Sequence, residues 1–236
     1  AASLGDTWVT ARAISARAGG DPGHSGLLGS MELPTSAKPG RVAVLATFGE
    51  DSASGEARQS LDDVRDHMVA AGMEINDSAN NEAVATVETA LASATPLARG
   101  INGWETRWPL NTYARDMDRS GLSQIMQERL ADAEKMTQEG YQTLLEDRRR
   151  VRETYAVLQD HVDVVMTLAA SGAAPIGLDS TGDSTFAVPS SLLGIPALTL
   201  PVLSAEGLPL GLQLMGFANQ DATLFSAAGG ILSLFD

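Results

Sequence analysis

The sequence predicts an α/β fold in which a β-sheet is flanked by helices. Two observations carry this reading. Residues 41–94 alternate strand, helix, strand, helix. Further along, the stretch from Asp183 to Gly216 is the least polar long segment of the chain, and it holds two apolar runs of strand length joined by a short polar loop around Gly207. Such a pair reads as a β-hairpin, or as two adjacent strands buried on both faces. At 236 residues the chain is long enough to bury a proper core.

In chain order, Leu4, Trp8, Ala11, Ile14 and Ala18 recur at steps of three and four. That spacing predicts a helix over 4–18, ended by Gly19-Gly20, with a turn at Asp21-Pro22-Gly23. A loop rich in Gly, Ser and Pro (24–40) leads into Arg41–Ala46, a short β-branched run that reads as a buried strand. From Glu56 to Ala71 one face carries Leu61, Val64, Met68 and Ala71, an amphipathic helix closed by Gly72. Met73–Asn76 reads as a second strand, and Asn81–Ala94 as a helix with Val84, Val87, Leu91 and Ala94 inward. If the two strands pair in parallel, their crossover should be right-handed.

Residues 95–121 suggest no element. Trp104, Trp108 and Tyr113 cluster there in a chain otherwise poor in aromatics, and they read as core or interface anchors or as a hydrophobic substrate wall. From Leu122 the pattern is helical: Leu122, Ile125, Met126, Leu130 and Ala133 form one stripe, and Tyr141, Leu144, Leu145, Val151, Tyr155 and Leu158 form another. Thr137 to Gly140 supplies a cap-like Thr and a helix-weakening Gly between them, so two helices are predicted. Val162–Met166 is a buried strand and 167–182 a flexible loop of small residues. Ala197–Leu203 and Leu210–Met215 are the hairpin strands; Pro196, Pro201 and Pro209 suit strand ends or edges. A helix over Asn219–Leu234 closes the pattern, with Asp221 near its positive end.

Charge and composition exclude several functions. A formal charge of −14 argues against a nucleic-acid surface, which needs clustered basic residues. The one basic cluster, Arg148-Arg149-Arg150 with Arg152, lies among Glu146, Asp147 and Glu153 and reads as an ion-paired helix face. No stretch reads as a signal peptide or as a bilayer-spanning segment, so no membrane association is expected. Zero cysteines remove disulfides and thiol chemistry and suit a cytoplasmic location. No His/Asp/Glu set has metal-site spacing, and no Gly-x-Gly-x-x-Gly follows a strand, so neither metal nor cofactor is expected.

The apolar segment also carries an ordered set of motif residues. They are Gly182-Asp183, then Phe186, then Pro189-x-x-Leu192-x-Gly194-x-Pro196-Ala197. Leu200-Pro201-Val202 follows, then Gly207-Leu208-Pro209-x-Gly211-Leu212-Gln213-Leu214-x-Gly216, and finally Asp221 ahead of Leu224. This series resembles the C-terminal region of amidase signature enzymes, which are Ser-cisSer-Lys amide hydrolases and include the glutaminase subunit of tRNA-dependent amidotransferases. The resemblance implies a mixed β-sheet flanked by helices, the C-terminal half of the amidase signature fold, as a single partial domain over 1–236. The opening helix and Asp21-Pro22-Gly23-His24-Ser25-Gly26-Leu27 look like the family segment that follows the nucleophile.

Amide hydrolysis needs a nucleophile, a base and an oxyanion hole. No Gly- and Ser-rich segment of the family type is present. Ser190-Ser191 is flanked by Pro189 and Leu192, where the family pattern expects helix-packing residues. Lys38 precedes a proline and Lys135 lies in a charged helix, so neither has the desolvating surroundings that lower a lysine pKa. His24, His67 and His161 read as surface residues.

The resemblance therefore implies a parent enzyme that cleaves the C–N bond of a small amide through an acyl-enzyme. This chain would carry no catalytic residue and would be inactive alone. The implied substrate-side residues are Thr167, Asp183, Ser184, Thr185 and Phe186. Two departures stand out: Leu168 replaces the family's Pro after Thr167, and Ser184 falls where glutamine-using relatives are expected to carry an Asp, with Asp183 one position off. The second departure favours a general amide over glutamine. The glutaminase subunit of a tRNA-dependent amidotransferase, and a non-catalytic binding or assembly module, remain the other readings. A sheet cut through its middle exposes a strand edge and apolar helix faces, so either a homodimer that covers them or a poorly soluble product is expected.

Overall fold

In a computed structural model, residues 3–19, 26–27, 30–45 and 47–235 are described. Their elements run α1 (Leu4–Ala18), β1 (Arg41–Val44), α2 (Gly55–Ala70), β2 (Glu74–Asn76), α3 (Glu82–Leu91), α4 (Ala94–Asp116), α5 (Gln124–Lys135), α6 (Gln138–Ala156), β3 (Val164–Leu168), α7 (Val188–Leu193), β4 (Ala197–Ala205), β5 (Leu208–Met215) and α8 (Asp221–Leu232). Several helices start where a side chain satisfies an otherwise orphan backbone N–H. Ser3, Ser54, Asn81, Ser123 and Thr137 each accept such a bond one turn into α1, α2, α3, α5 and α6. Thr137 thus acts as the cap that divides the long helical stretch in two.

The five strands form one mixed sheet in the order β2-β1-β3-β5-β4. β1 runs parallel to β2 and to β3, while β3–β5 and β5–β4 are antiparallel. Strand periodicity divides the core into two layers. Val42, Val44, Val164, Met166, Leu168, Leu212 and Leu214 face α2 and α8, whose Leu61, Val64, Met68, Leu224 and Ile231 are buried against them. Ala43, Val165 and Met215 face the other way, against Val84, Leu91, Leu97, Ile101, Val151, Tyr155 and Leu193 of α3, α4, α6 and α7.

The hairpin forms as expected, but its strands are not both buried on two faces. β4 is an edge strand with Ala197, Thr199 and Pro201 exposed and Leu200, Leu203 and Ala205 buried. Pro201 sits in the register shift between Leu200 and Leu203, where no ladder N–H is lost. The predicted strand at 162–166 lies two residues later, at 164–168, with all five residues buried.

Three sequence expectations are corrected by packing. Residues 94–116 form α4, interrupted at Trp108 just before Pro109, which disfavours helical backbone in the residue ahead of it. Trp108 and Tyr113 are exposed, at 73% and 46%, and so are not core anchors, whereas Trp104 stacks on Tyr141 at 5.2 Å. Ile14 and Ile125 are also exposed: α1 reaches the body through Trp8, edge-on to Phe225 at 4.9 Å, and α5 through Leu130 and Ala133.

Of the basic cluster, Arg149 pairs with Glu153, and Arg150 with Glu146 and Asp147, as the ion-paired reading expects. No described helix is long and apolar enough to cross a membrane.

Candidate active site

The chain leaves β1 to build β2 on one side and later returns to build β3 on the other, so strand order reverses between β1 and β3. In open α/β sheets, ligands bind outside the carboxyl ends of the strands at such a reversal. Two segments cover that place here: the 3-10 turn Thr47–Ser52 after β1, and the loop 169–185 after β3. They are joined. The Ser54 N–H donates to the Ser171 carbonyl at 2.7 Å, and the Phe186 ring lies against the bare α-carbon of Gly49. A Cβ on Gly49 would sit 2.5 Å from that ring, so the close approach requires glycine.

The five expected site residues divide into two groups. Asp183 and Ser184 are exposed and Thr185 is half-buried, all at the end of the loop. The Asp183 carboxylate accepts from the Thr185 N–H at 2.7 Å and from its hydroxyl at 2.5 Å. These bonds hold the carboxyl below its ordinary pKa, helped by the positive charge of Arg99 on α4. The Ser184 carbonyl accepts from the N–H groups of Ala187 and Val188, which turns the chain into α7. Phe186 and Thr167 are buried, at 1% and 0% exposure. Thr167 lies in β3 directly opposite Gln213 of β5, and its hydroxyl has no hydrogen-bond partner among the described residues.

Gln213 connects the two groups, and the motif order does not single it out. The side chain is buried. Its amide nitrogen donates to the Phe186 carbonyl at 2.7 Å and more weakly to the Leu168 carbonyl at 3.4 Å. Its amide oxygen lies 3.2 Å from the Ser190 hydroxyl. Leu168 and Phe186 are the two ends of the loop, so one side chain clasps its base and ties α7 to the sheet. The available signal is a lone polar letter in the apolar run Leu210–Met215. Alternation puts Gln213 on the same inward face as Met215, where a buried amide must find partners.

The orphan hydroxyl of Thr167 gives a clean test of its role in folding. Thr167→Val should leave stability unchanged or raise it by about 1 kcal/mol, because it removes a polar group that is buried without a bond. A urea melt that shows a loss of more than ~1 kcal/mol would mean that the hydroxyl has a partner.

The remaining nucleophile and base candidates lie apart from this place or are occupied. Ser190 is buried, and its hydroxyl is shared between the Ala187 carbonyl and Gln213, both at 3.2 Å. Ser191 is exposed on α7. The Lys38 ammonium donates to the Ala71 carbonyl at 2.6 Å, and Lys135 pairs with Asp132 at 2.8 Å. His67 and His161 are exposed, and His24 lies outside the described residues. Asp221 opens α8 but is half-buried, and desolvation raises its pKa. Among the described residues, no three His, Asp or Glu side chains converge on a metal position.

Comparison with known proteins places this geometry. The Amidase family model matches residues 1–225. A glutamyl-tRNA(Gln) amidotransferase subunit of Parvibaculum lavamentivorans is 39% identical over 92 residues, which are 36% of this chain and 19% of that protein. A fatty acid amide hydrolase of Medicago truncatula is 33% identical over 100 residues, 37% of this chain and 16% of that protein. Among solved structures, an amidase superposes with a TM-score of 0.69 at 22% identity, covering 86% of this chain and 47% of its own. The structure described as an unexpected vestigial protein complex that reveals the evolutionary origins of an s-triazine catabolic enzyme gives 0.71 at 21% identity, covering 99% and 52%. The chain thus spans about half the length of the solved structures it matches, and its curated matches cover less than a fifth of those proteins. With the fold, the ordered motif residues and the family match in agreement, the chain belongs to the amidase family.

Proposed function

We propose that this chain forms the substrate side of an amide hydrolase that cleaves a C–N bond through an acyl-enzyme, with the Ser-Ser-Lys machinery supplied by residues other than these 236. The observation that carries the reading is the loop 169–185. It lies at the strand-order reversal, closes on itself through Gln213 and presents Asp183 and Ser184 outward. In this reading Asp183, Ser184 and Thr185 meet the substrate, while Thr167 and Phe186 shape the wall from beneath. The substrate is a small amide. The names of the curated relatives point also to glutamine, but the carboxylate beside Ser184 is Asp183. The preference for a neutral amide rests on Ser184, which stands where glutamine-using relatives are expected to carry the carboxylate; both Thr185 bonds fall on Asp183 Oδ1.

Two measurements test the proposal. Ammonia release from butyramide, benzamide and glutamine by the chain as it stands should stay at background. Turnover that disappears in Ser190→Ala or Ser191→Ala would overturn it. Titration with butyramide followed by amide NMR should perturb residues of 169–186 before any others. Glutamine as the stronger of the two ligands would favour the amidotransferase reading instead.

A further inference from the structure

A second concavity lies at the opposite end of the sheet from the loop 169–185. Phe217 and Ala218 follow β5, and Gly194 and Ile195 precede β4, near the start of β3 rather than its carboxyl end. With the second half of α6 they enclose a cavity of about 300 Å³. Its wall is mostly apolar, made by Tyr155, Ala156, Leu193, Ile195, Phe217 and Ala218. The one hydroxyl in that wall is already used, since the Tyr155 phenol donates to the Gly216 carbonyl at 3.1 Å.

Arg152 is the exception in this wall. Two of its neighbours in the basic cluster are neutralised on their own helix, Arg149 by Glu153 and Arg150 by Glu146 and Asp147. Arg152 faces inward, half-buried, and its one hydrogen bond among the described residues runs from Nε to the Leu192 carbonyl at 3.3 Å. Glu153 also borders the cavity, but its carboxylate is engaged by Arg149 at 2.8 Å. The terminal nitrogens of Arg152 are left with no carboxylate partner among the described residues, in a chain whose formal charge is −14. Burial, and then the charge of Arg148, push the Arg152 pKa below its ordinary value, the mark of a cation short of a counter-charge. A planar guanidinium fork is suited to a carboxylate.

We propose that this cavity binds a small apolar monocarboxylate, with the carboxylate on Arg152 and the hydrocarbon body against Tyr155, Ile195 and Phe217. The volume, at the lower end for ligand pockets, fits a body on the order of ten non-hydrogen atoms. Beyond Arg152 and Gln159 the wall's polar side chains are Glu153, held by Arg149, and Tyr155, bonded to Gly216, so a second charged group on the ligand would be left unpaired. The site is separate from the loop 169–185 and does not depend on the hydrolase reading.

The test uses octanoate and its uncharged counterpart 1-octanol, titrated into the whole chain and followed by amide NMR. Octanoate should bind with a dissociation constant on the order of 0.1–1 mM and shift Ile195, Phe217 and Ala218. Octanol should bind at least about ten-fold more weakly. Arg152→Met keeps the aliphatic stem but removes the charge; it should abolish the preference for the acid while octanol still shifts the same residues. Arg152→Gln serves if the Met variant does not fold. Ala218→Trp, which fills the cavity, should abolish both ligands. Equal binding of acid and alcohol, shifts confined to 169–186, or no shift at 5 mM octanoate, roughly five times the weakest affinity expected, would each overturn the proposal.

Discussion

Gln213→Leu is expected to lower stability by about 3 kcal/mol and to loosen the loop 169–185 more than the rest of the sheet. The leucine fills a similar volume, so the loss is polar rather than steric. It removes the donor to the Phe186 and Leu168 carbonyls and the acceptor for the Ser190 hydroxyl. Each group left buried without a bond costs roughly 1–3 kcal/mol, and partial rescue of Ser190 by the Ala187 carbonyl keeps the total below the full sum. In a chain of this length the midpoint should fall by roughly 6–12 °C. Hydrogen exchange locates the effect. The N–H groups of Ala169, Ala187 and Val188, which bond to Gly211 and Ser184, flank the loop and should exchange faster, while those of β1 follow only the global change. A melt within 1 kcal/mol of the parent, or uniform exchange, would show that the clasp is not what shapes the loop.

How much of this was legible beforehand depends on which interactions are local. The hairpin and the divided helices were readable because Gly207, Thr137 and the apolar spacing act within a few residues. α4 was not. It carries Gly100, Gly103 and Pro109 and little apolar periodicity, and each of these lowers helix propensity. The structure supplies the reason for one of them: a Cβ on Gly100 would lie 2.8 Å from Leu144 of α6, so that glycine serves a helix contact remote in sequence.

The site divides in the same way. Asp183 to Phe186 could be located from motif order. The division into exposed and buried members could not, because it depends on Gln213 meeting Phe186 across 27 positions. The exposed Trp108, Tyr113, Met117 and Ile125 show the converse limit, since an aromatic-rich stretch in a chain poor in aromatics need not be core.

Gly230→Ala should destabilise the chain by about 2 kcal/mol, although alanine is the better helix former by about 1 kcal/mol. Gly230 lies in α8, under the strap that brings the chain into β1. A Cβ there would sit 2.4 Å from the Ala37 carbonyl oxygen and 2.6 Å from the Lys38 nitrogen. Those are backbone atoms, so no side-chain rotation relieves the overlap. The strap must lift, which strains the bond from the Ala37 N–H to the Ser226 carbonyl at 3.0 Å and that from the Ser226 hydroxyl to the Thr35 carbonyl at 2.7 Å. An overlap of this kind costs about 1–3 kcal/mol or more and outweighs the helical gain.

Gly55→Ala is the matched control. It opens α2, nothing lies within 4 Å of its added Cβ, and its backbone is compatible with alanine. The same substitution there should be neutral or stabilise by about 0.4–1 kcal/mol. If both variants melt alike, the close approach of α8 to the strap is not what holds this end of the sheet. Opposite signs would show that the close approach of α8 to the strap, and not helix propensity, decides the effect at Gly230.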